Sequence, residues 1–187
     1  MLFNRENIRR DMTFNPDMSI HQAIMDMGYN AYQKEGDWHY QDMLDFVRLT
    51  YGEIAMLAIM VGNYNYQVEN GGHMQYLDNG YASEGKDPRK DPNCGLAQQL
   101  LDSLKKTKLS TLEHGKITTE ILSEFIDRTV NRDFNDRDDY EEDECEEDDY
   151  ANYDDLDGRY YKINELWMKE FENYLKSWME KNESPIS

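Results

Sequence analysis

A chain of 187 residues with 39% apolar content is long enough to bury one core and too apolar to read as wholly disordered, so a single domain is expected. A net charge of -19 sets it against DNA, RNA and anionic membrane surfaces, each of which carries its own dense negative field, and points instead to a cationic partner. Residues 1–17 show no secretory pattern, and the longest apolar run, Ile54 to Val61, is far short of the roughly 20 residues that span a bilayer. Cys94 and Cys145 lie in dissimilar settings and make no disulfide framework, so a cytoplasmic protein is expected.

Residues 1–16 carry Arg5, Arg9 and Arg10 without a sustained period and read as a loosely held arm. Ser19 is a suitable N-cap for a helix in which Ile20, Ala23, Ile24 and Met27 recur at three- and four-residue spacing, with Gly36 as its stop. Trp38 and Tyr40 lead into a second amphipathic helix through Met43, Leu44, Phe46, Val47, Leu49 and Tyr51, bending or ending near Gly52. A third helix runs from Glu53 to Glu69, its buried start marked by the Ile54 to Val61 run. Gly71 and Gly72 stop it, and one of them is expected to take positive φ. A short helix from His73 to Asn79 follows, ends at Gly80, and would seat Tyr76 or Leu77 against the Ile54 to Val61 segment.

Residues 81–93 have the composition of a connector, with turns at Asp87-Pro88 and Asp91-Pro92. Helical spacing returns with Leu96, Leu100, Leu101 and Leu104, and Lys105, Lys106 and Lys108 crowd its end, where positive charge suits the helix dipole. Ile117, Ile121, Leu122, Phe125 and Ile126 give a further helix over 117–130. The last helix, expected over 160–179, carries Ile163, Leu166, Trp167, Phe171, Tyr174, Leu175 and Trp178, and residues 183–187 read as a frayed tail. No internal repeat is present. The expected fold is all-α: a single-domain irregular helical bundle of about six to eight helices, with an acidic loop over 133–157 before the last of them.

Asn70-Gly71-Gly72-His73-Met74-Gln75-Tyr76, together with Asn79, resembles the Asn-Gly-Gly-aromatic-x-Gln-Tyr motif of a bacterial family, formerly of unknown function, that includes the Neisserial DNA-mimic protein. A weaker match is Leu156-Asp-Gly-Arg-Tyr-Tyr-Lys-Ile163 with the helix after it, so the resemblance covers roughly residues 41–80 and 156–178. His73 stands where the family pattern usually has an aromatic such as Phe. The resemblance implies an all-α fold, no known catalysis and, in the one described case, an acidic surface that occupies the DNA-binding face of a transcription factor.

The acidic loop bears that implication. Between Tyr140 and Tyr150 it is almost pure carboxylate, and as an isolated helix it would carry repulsive pairs three and four residues apart, each costing about 0.2 to 0.5 kcal/mol. A helix rises about 1.5 Å per residue. Duplex DNA shows about one charge per 1.7 Å of axis, so a helical tract would approach duplex charge density and an extended one that of a single strand. Two readings stay open: a solvated loop that keeps the protein soluble, and a partner-binding surface made of Asp138, Asp139, Glu141, Glu142, Asp143, Glu144, Glu146, Glu147, Asp148 and Asp149.

Other chemistries have less support. An EF-hand register that places Gly158 sixth puts Tyr153 first and Asn164 twelfth, and neither offers the needed carboxylate. Asp157 reads instead as an N-cap of the last helix, with Gly158 easing the turn. His21, His39, His73 and His114 lack zinc-ligand spacing, Gly71-Gly72 lacks a phosphate-loop context, and no nucleophile motif accompanies His73. Glu69, Asn70, Gln75 and Asn79 are expected to make structural polar contacts at the helix break.

The expectation is thus a non-enzyme without catalytic residues, metal or cofactor. It binds a basic, DNA-binding protein and neither nucleic acid nor membrane directly, and homodimerisation is left open. A helical interaction domain with a merely solubilising loop is the alternative, and a hydrolase using His73 comes third.

Overall fold

The apolar stripes form helices, although Leu49 and Leu166, expected among their apolar positions, are exposed. The structure, a computed structural model, describes residues 8, 18–32, 40–79, 95–131 and 153–180. Among these residues the chain is all-α, with helices α1 (Ile20–Tyr32), α2 (Tyr40–Tyr51), α3 (Glu53–Asp78), α4 (Leu96–Lys106), α5 (Glu113–Asn131), α6 (Asp154–Tyr161) and α7 (Asn164–Glu180), a 3-10 turn η1 (Lys108–Thr111) and no strand. None of these helices is long and apolar enough to cross a membrane. Apart from Ile8, which is buried, the arm lies outside the described residues, as do Gly36, the connector over 81–93, both cysteines, residues 133–152 of the acidic segment and the tail.

The helices group into two compact units, Met1–Tyr64 with Leu166–Ser187, and Asn65–Glu165. In the first, α1 packs on α2. A Cβ on Gly28 would come within 2.8 Å of Ile59 Cδ1 and 3.1 Å of Val47 Cγ2, so glycine is what permits this close approach. Ile24, Met43, Leu44, Val47, Leu57 and Ile59 are buried, as are Trp167 and Phe171 of α7, whose rings stack at 5.7 Å. Gly52, at φ 98°, separates α2 from α3 in a conformation that L side chains rarely adopt.

The start of α1 is held in two ways. Ser19 Oγ accepts the Gln22 N–H at 3.4 Å, the expected cap. The carboxylate of Glu172 in α7 makes the shorter bonds, accepting Ile20 N–H at 2.9 Å and His21 N–H at 3.0 Å, with His21 Nδ1 on the same oxygen as the His21 N–H. Two of the amides that a helix start leaves without intrahelical partners are thereby satisfied by a charged acceptor.

In the second unit α4 and η1 pack against α5, and α5 against α6. Leu100, Leu101, Leu104, Leu109, Ile121 and Leu122 are buried, and Phe125 is ringed by His73, Tyr76 and Tyr153 at centroid distances of 5.1, 6.1 and 5.2 Å. Helix α5 begins at Glu113, four residues before the expected Ile117.

The helix expected over 160–179 is two helices. Helix α6 ends at Tyr161, Ile163 N–H bonds to Tyr160 C=O at 2.9 Å, and α7 begins at Asn164. The residues preceding Tyr160 look like loop because they are acidic, yet Asp154, Asp155 and Asp157 fill the first turn of α6, where carboxylates complement the positive end of the dipole. Asp157 is therefore not the N-cap of the last helix, and Gly158 lies inside α6. Asn164 serves α7 instead, its Oδ1 accepting the Glu165 N–H at 2.8 Å.

Candidate functional site

The motif residues converge on a break within α3. Gly71 has φ -165°, ψ 24° and Gly72 has φ 72°, ψ -174°. The first is extended backbone open to any residue, whereas the second lies in a region essentially confined to glycine, so the expected positive φ belongs to Gly72.

Beyond the break the chain restarts as a helix at His73, whose N–H donates to Asp157 Oδ1 at 2.9 Å while its ring Nδ1 donates to the same oxygen. A carboxylate acceptor assigns the proton to Nδ1. A Cβ on Gly72 would fall deep inside contact distance of Asp157 Oδ2, so glycine there provides both the backbone turn and the room for Asp157. The His73 ring is completely buried, tilted against Phe125 and edge-on to Tyr160 at 6.3 Å. It does the packing of an aromatic and adds a polar bond to Asp157, which explains how histidine fits a position the motif gives to Phe. Buried in this way, it is not presented to a substrate.

The amide side chains brace the break from the other side. Gln75 Nε2 and Asn79 Nδ2 both donate to Gln67 Oε1, at 2.9 and 2.8 Å, joining the helical segments before and after the glycines. Asn70 Nδ2 donates to Tyr66 C=O at 2.6 Å. Tyr76 is buried and packs on Phe125.

Helix α6 is tied to α5 by an ion cluster. Arg128 binds Asp155 with two parallel bonds, Nη1 to Oδ1 at 2.7 Å and Nη2 to Oδ2 at 2.8 Å, and also contacts Glu124, which receives Arg159 as well. The Arg128 hydrogen bonds hold the Asp155 carboxyl below its usual range. Those of Arg159 and then Arg128 do the same for Glu124. Two cations thus answer two carboxylates at this end of the acidic segment, and the bidentate geometry orients α6 on α5.

Asp138, Asp139 and the run from Glu141 to Asp149, expected as the partner surface, lie outside the described residues. Among the described residues no group of three or more His, Cys, Asp or Glu side chains is placed to hold a metal ion. Tyr153, first in the rejected EF-hand register, is buried with its hydroxyl 3.2 Å from Thr129 Oγ1. Sequence reasoning missed Gln67 and the role of Asp157. A glutamine among the apolar positions Tyr64 and Val68 was the available signal for the first; for the second there was none, since the partners are 84 residues apart.

These features define a class: an acidic, all-α protein whose motif residues lock a helix break. The model of the DMP19-like protein family matches residues 50–182, and the chain belongs to that family. The match takes in α3 to α7 and the acidic run. No match was found among curated proteins or among solved structures.

Proposed function

We propose that this protein binds a basic, DNA-binding protein through an acidic surface centred on residues 138–149, occupying the face that would otherwise hold DNA. The observation that carries the reading is membership of the DMP19-like family in a chain of net charge -19. The balance of 39 acidic to 20 basic residues supports it, because a partner built for the phosphate backbone already carries the complementary field. The proposed role is non-catalytic, requires no cofactor and places the protein in the cytoplasm with its partner.

The test is capture of partners on the immobilised full chain at low salt, elution by raised salt, and competition of each eluted protein with duplex DNA. A DNA-binding protein that releases its DNA to the acidic chain is the expected result. Captured proteins that keep their DNA unchanged in its presence would reject the mimic role.

A further inference from the structure

Beside the helix break, on the second unit, one surface carboxylate is held in a fixed pose by a directional relay. Tyr160 Oη donates to Asn65 Oδ1 at 2.8 Å, so the amide nitrogen of Asn65 faces Glu69 and donates to its Oε2 at 2.9 Å. On the opposite side Asn164 Oδ1 is occupied by the Glu165 N–H, which turns its amide nitrogen to Glu69 Oε1 at 2.6 Å. Neither amide can flip without breaking two bonds, so both Glu69 oxygens are fixed as acceptors while the residue stays exposed.

Two exposed tyrosines belong to its surroundings. Tyr66 precedes Glu69 by three residues on the same helix, hence on a neighbouring surface position, and is 60% exposed. Tyr161 anchors its hydroxyl on Val68 C=O at 2.9 Å and leaves 47% of its surface exposed. The negative field of Glu69 reaches this hydroxyl: burial first, then Asp157 and Glu69, push it above the usual tyrosine range. Large exposed aromatics beside an immobilised carboxylate are poorly explained by solubility.

We propose that Glu69, Tyr66 and Tyr161 form a socket for an arginine side chain of the basic partner. Each carboxylate oxygen has lone-pair capacity left for the planar guanidinium fork, and a tyrosine face is a stacking surface for it. A lysine ammonium fits less well, since it offers neither the bidentate fork nor a flat face. The relay supplies preorganisation, so the partner's arginine meets a phosphate-like pair of oxygens without freezing a mobile glutamate. This deepens the proposed function, on which it rests for the identity of the partner class, and it adds a recognition element outside the acidic run.

The test uses the full chain and two probe peptides of equal length and charge, one alternating glycine with arginine and the other glycine with lysine, titrated by calorimetry at fixed salt. The parent should prefer the arginine peptide roughly two- to five-fold or more, the range of an exposed cation–aromatic contact. Glu69→Gln and Tyr66→Ala should each bring the ratio towards one, while Tyr66→Phe keeps it. Both altered side chains are exposed, and circular dichroism of each variant checks that the fold is kept. A parent ratio of one, or a ratio that survives Glu69→Gln and Tyr66→Ala, overturns the socket. A variant with the acidic run amidated should bind both peptides more weakly at an unchanged ratio. If it binds like the parent, the run fails as the main surface while the socket stands. If it loses binding while the socket variants keep the ratio, the socket alone fails.

Discussion

Gly71 and Gly72 are adjacent, yet their substitutions are expected to fail for different reasons. Gly72→Val places a branched side chain at φ 72°, ψ -174°, at a cost of about 1 to 3 kcal/mol in strain alone, and also displaces Asp157. Gly71→Ala meets no strain at φ -165°, but its Cβ collides with the Gln75 side chain. Thermal melts should therefore show Gly71→Ala partly rescued by Gln75→Ala, and Gly72→Ala not rescued by Asp157→Ala. Rescue of both, or of neither, would refute the distinction. Asp157→Ala alone leaves the buried His73 without this acceptor and should cost about 1 to 3 kcal/mol. The glycines were legible in sequence because a pair after a long helical run has few other uses. The carboxylate that selects for Gly72 was not, because spacing reports on neighbours along the chain and Asp157 becomes a neighbour only through folding.

Two helical segments here begin with the same device: a histidine whose backbone N–H and ring Nδ1 both donate to one oxygen of a carboxylate from a distant helix, His21 with Glu172 and His73 with Asp157. The device makes the start of α1 sensitive to acid. Burial alone would raise the Glu172 carboxyl, but the hydrogen bonds from the His21 ring and the His21 and Ile20 amides outweigh it and hold the group below its ordinary value. A carboxyl lowered in the folded state contributes stability that is present above its unfolded value, near 4.5, and lost as pH falls through the folded one. Glu172→Gln should thus lower stability at neutral pH and flatten the decline below about pH 4.5. Equal acid limbs in the two proteins would contradict the assignment. Hydrogen exchange in the variant should be fastest at Ile20 and His21. The stripes of α1 to α5 were readable as periodicity, whereas α6 was hidden by composition. Asp154, Asp155 and Asp157 resemble a solvated run until Arg128 and the helix dipole supply the countercharge.

At the scale of the molecule the dominant quantity is charge. Replacing Glu141, Glu142, Asp143, Glu144, Glu146, Glu147, Asp148 and Asp149 by their amides keeps size and most hydrogen-bonding capacity while removing eight of the charges that make up the net -19. Self-repulsion among like charges opposes any compact state, so the variant should melt no lower than the parent. Added salt screens exposed charges beyond about 8 Å at physiological strength, and should therefore raise the parent's melting temperature more than the variant's. Binding should move the opposite way. If the run presents phosphate-like charge, the parent's affinity for a salt-eluted DNA-binding partner falls steeply as salt rises, while the variant binds weakly with a shallow salt dependence. The parent should release DNA from that partner and the variant should not. A run that only solvates the protein would alter the melting curves and leave partner affinity and DNA release alike in the two proteins. That outcome would move recognition to the folded helices, where the Glu69 socket makes its separate prediction.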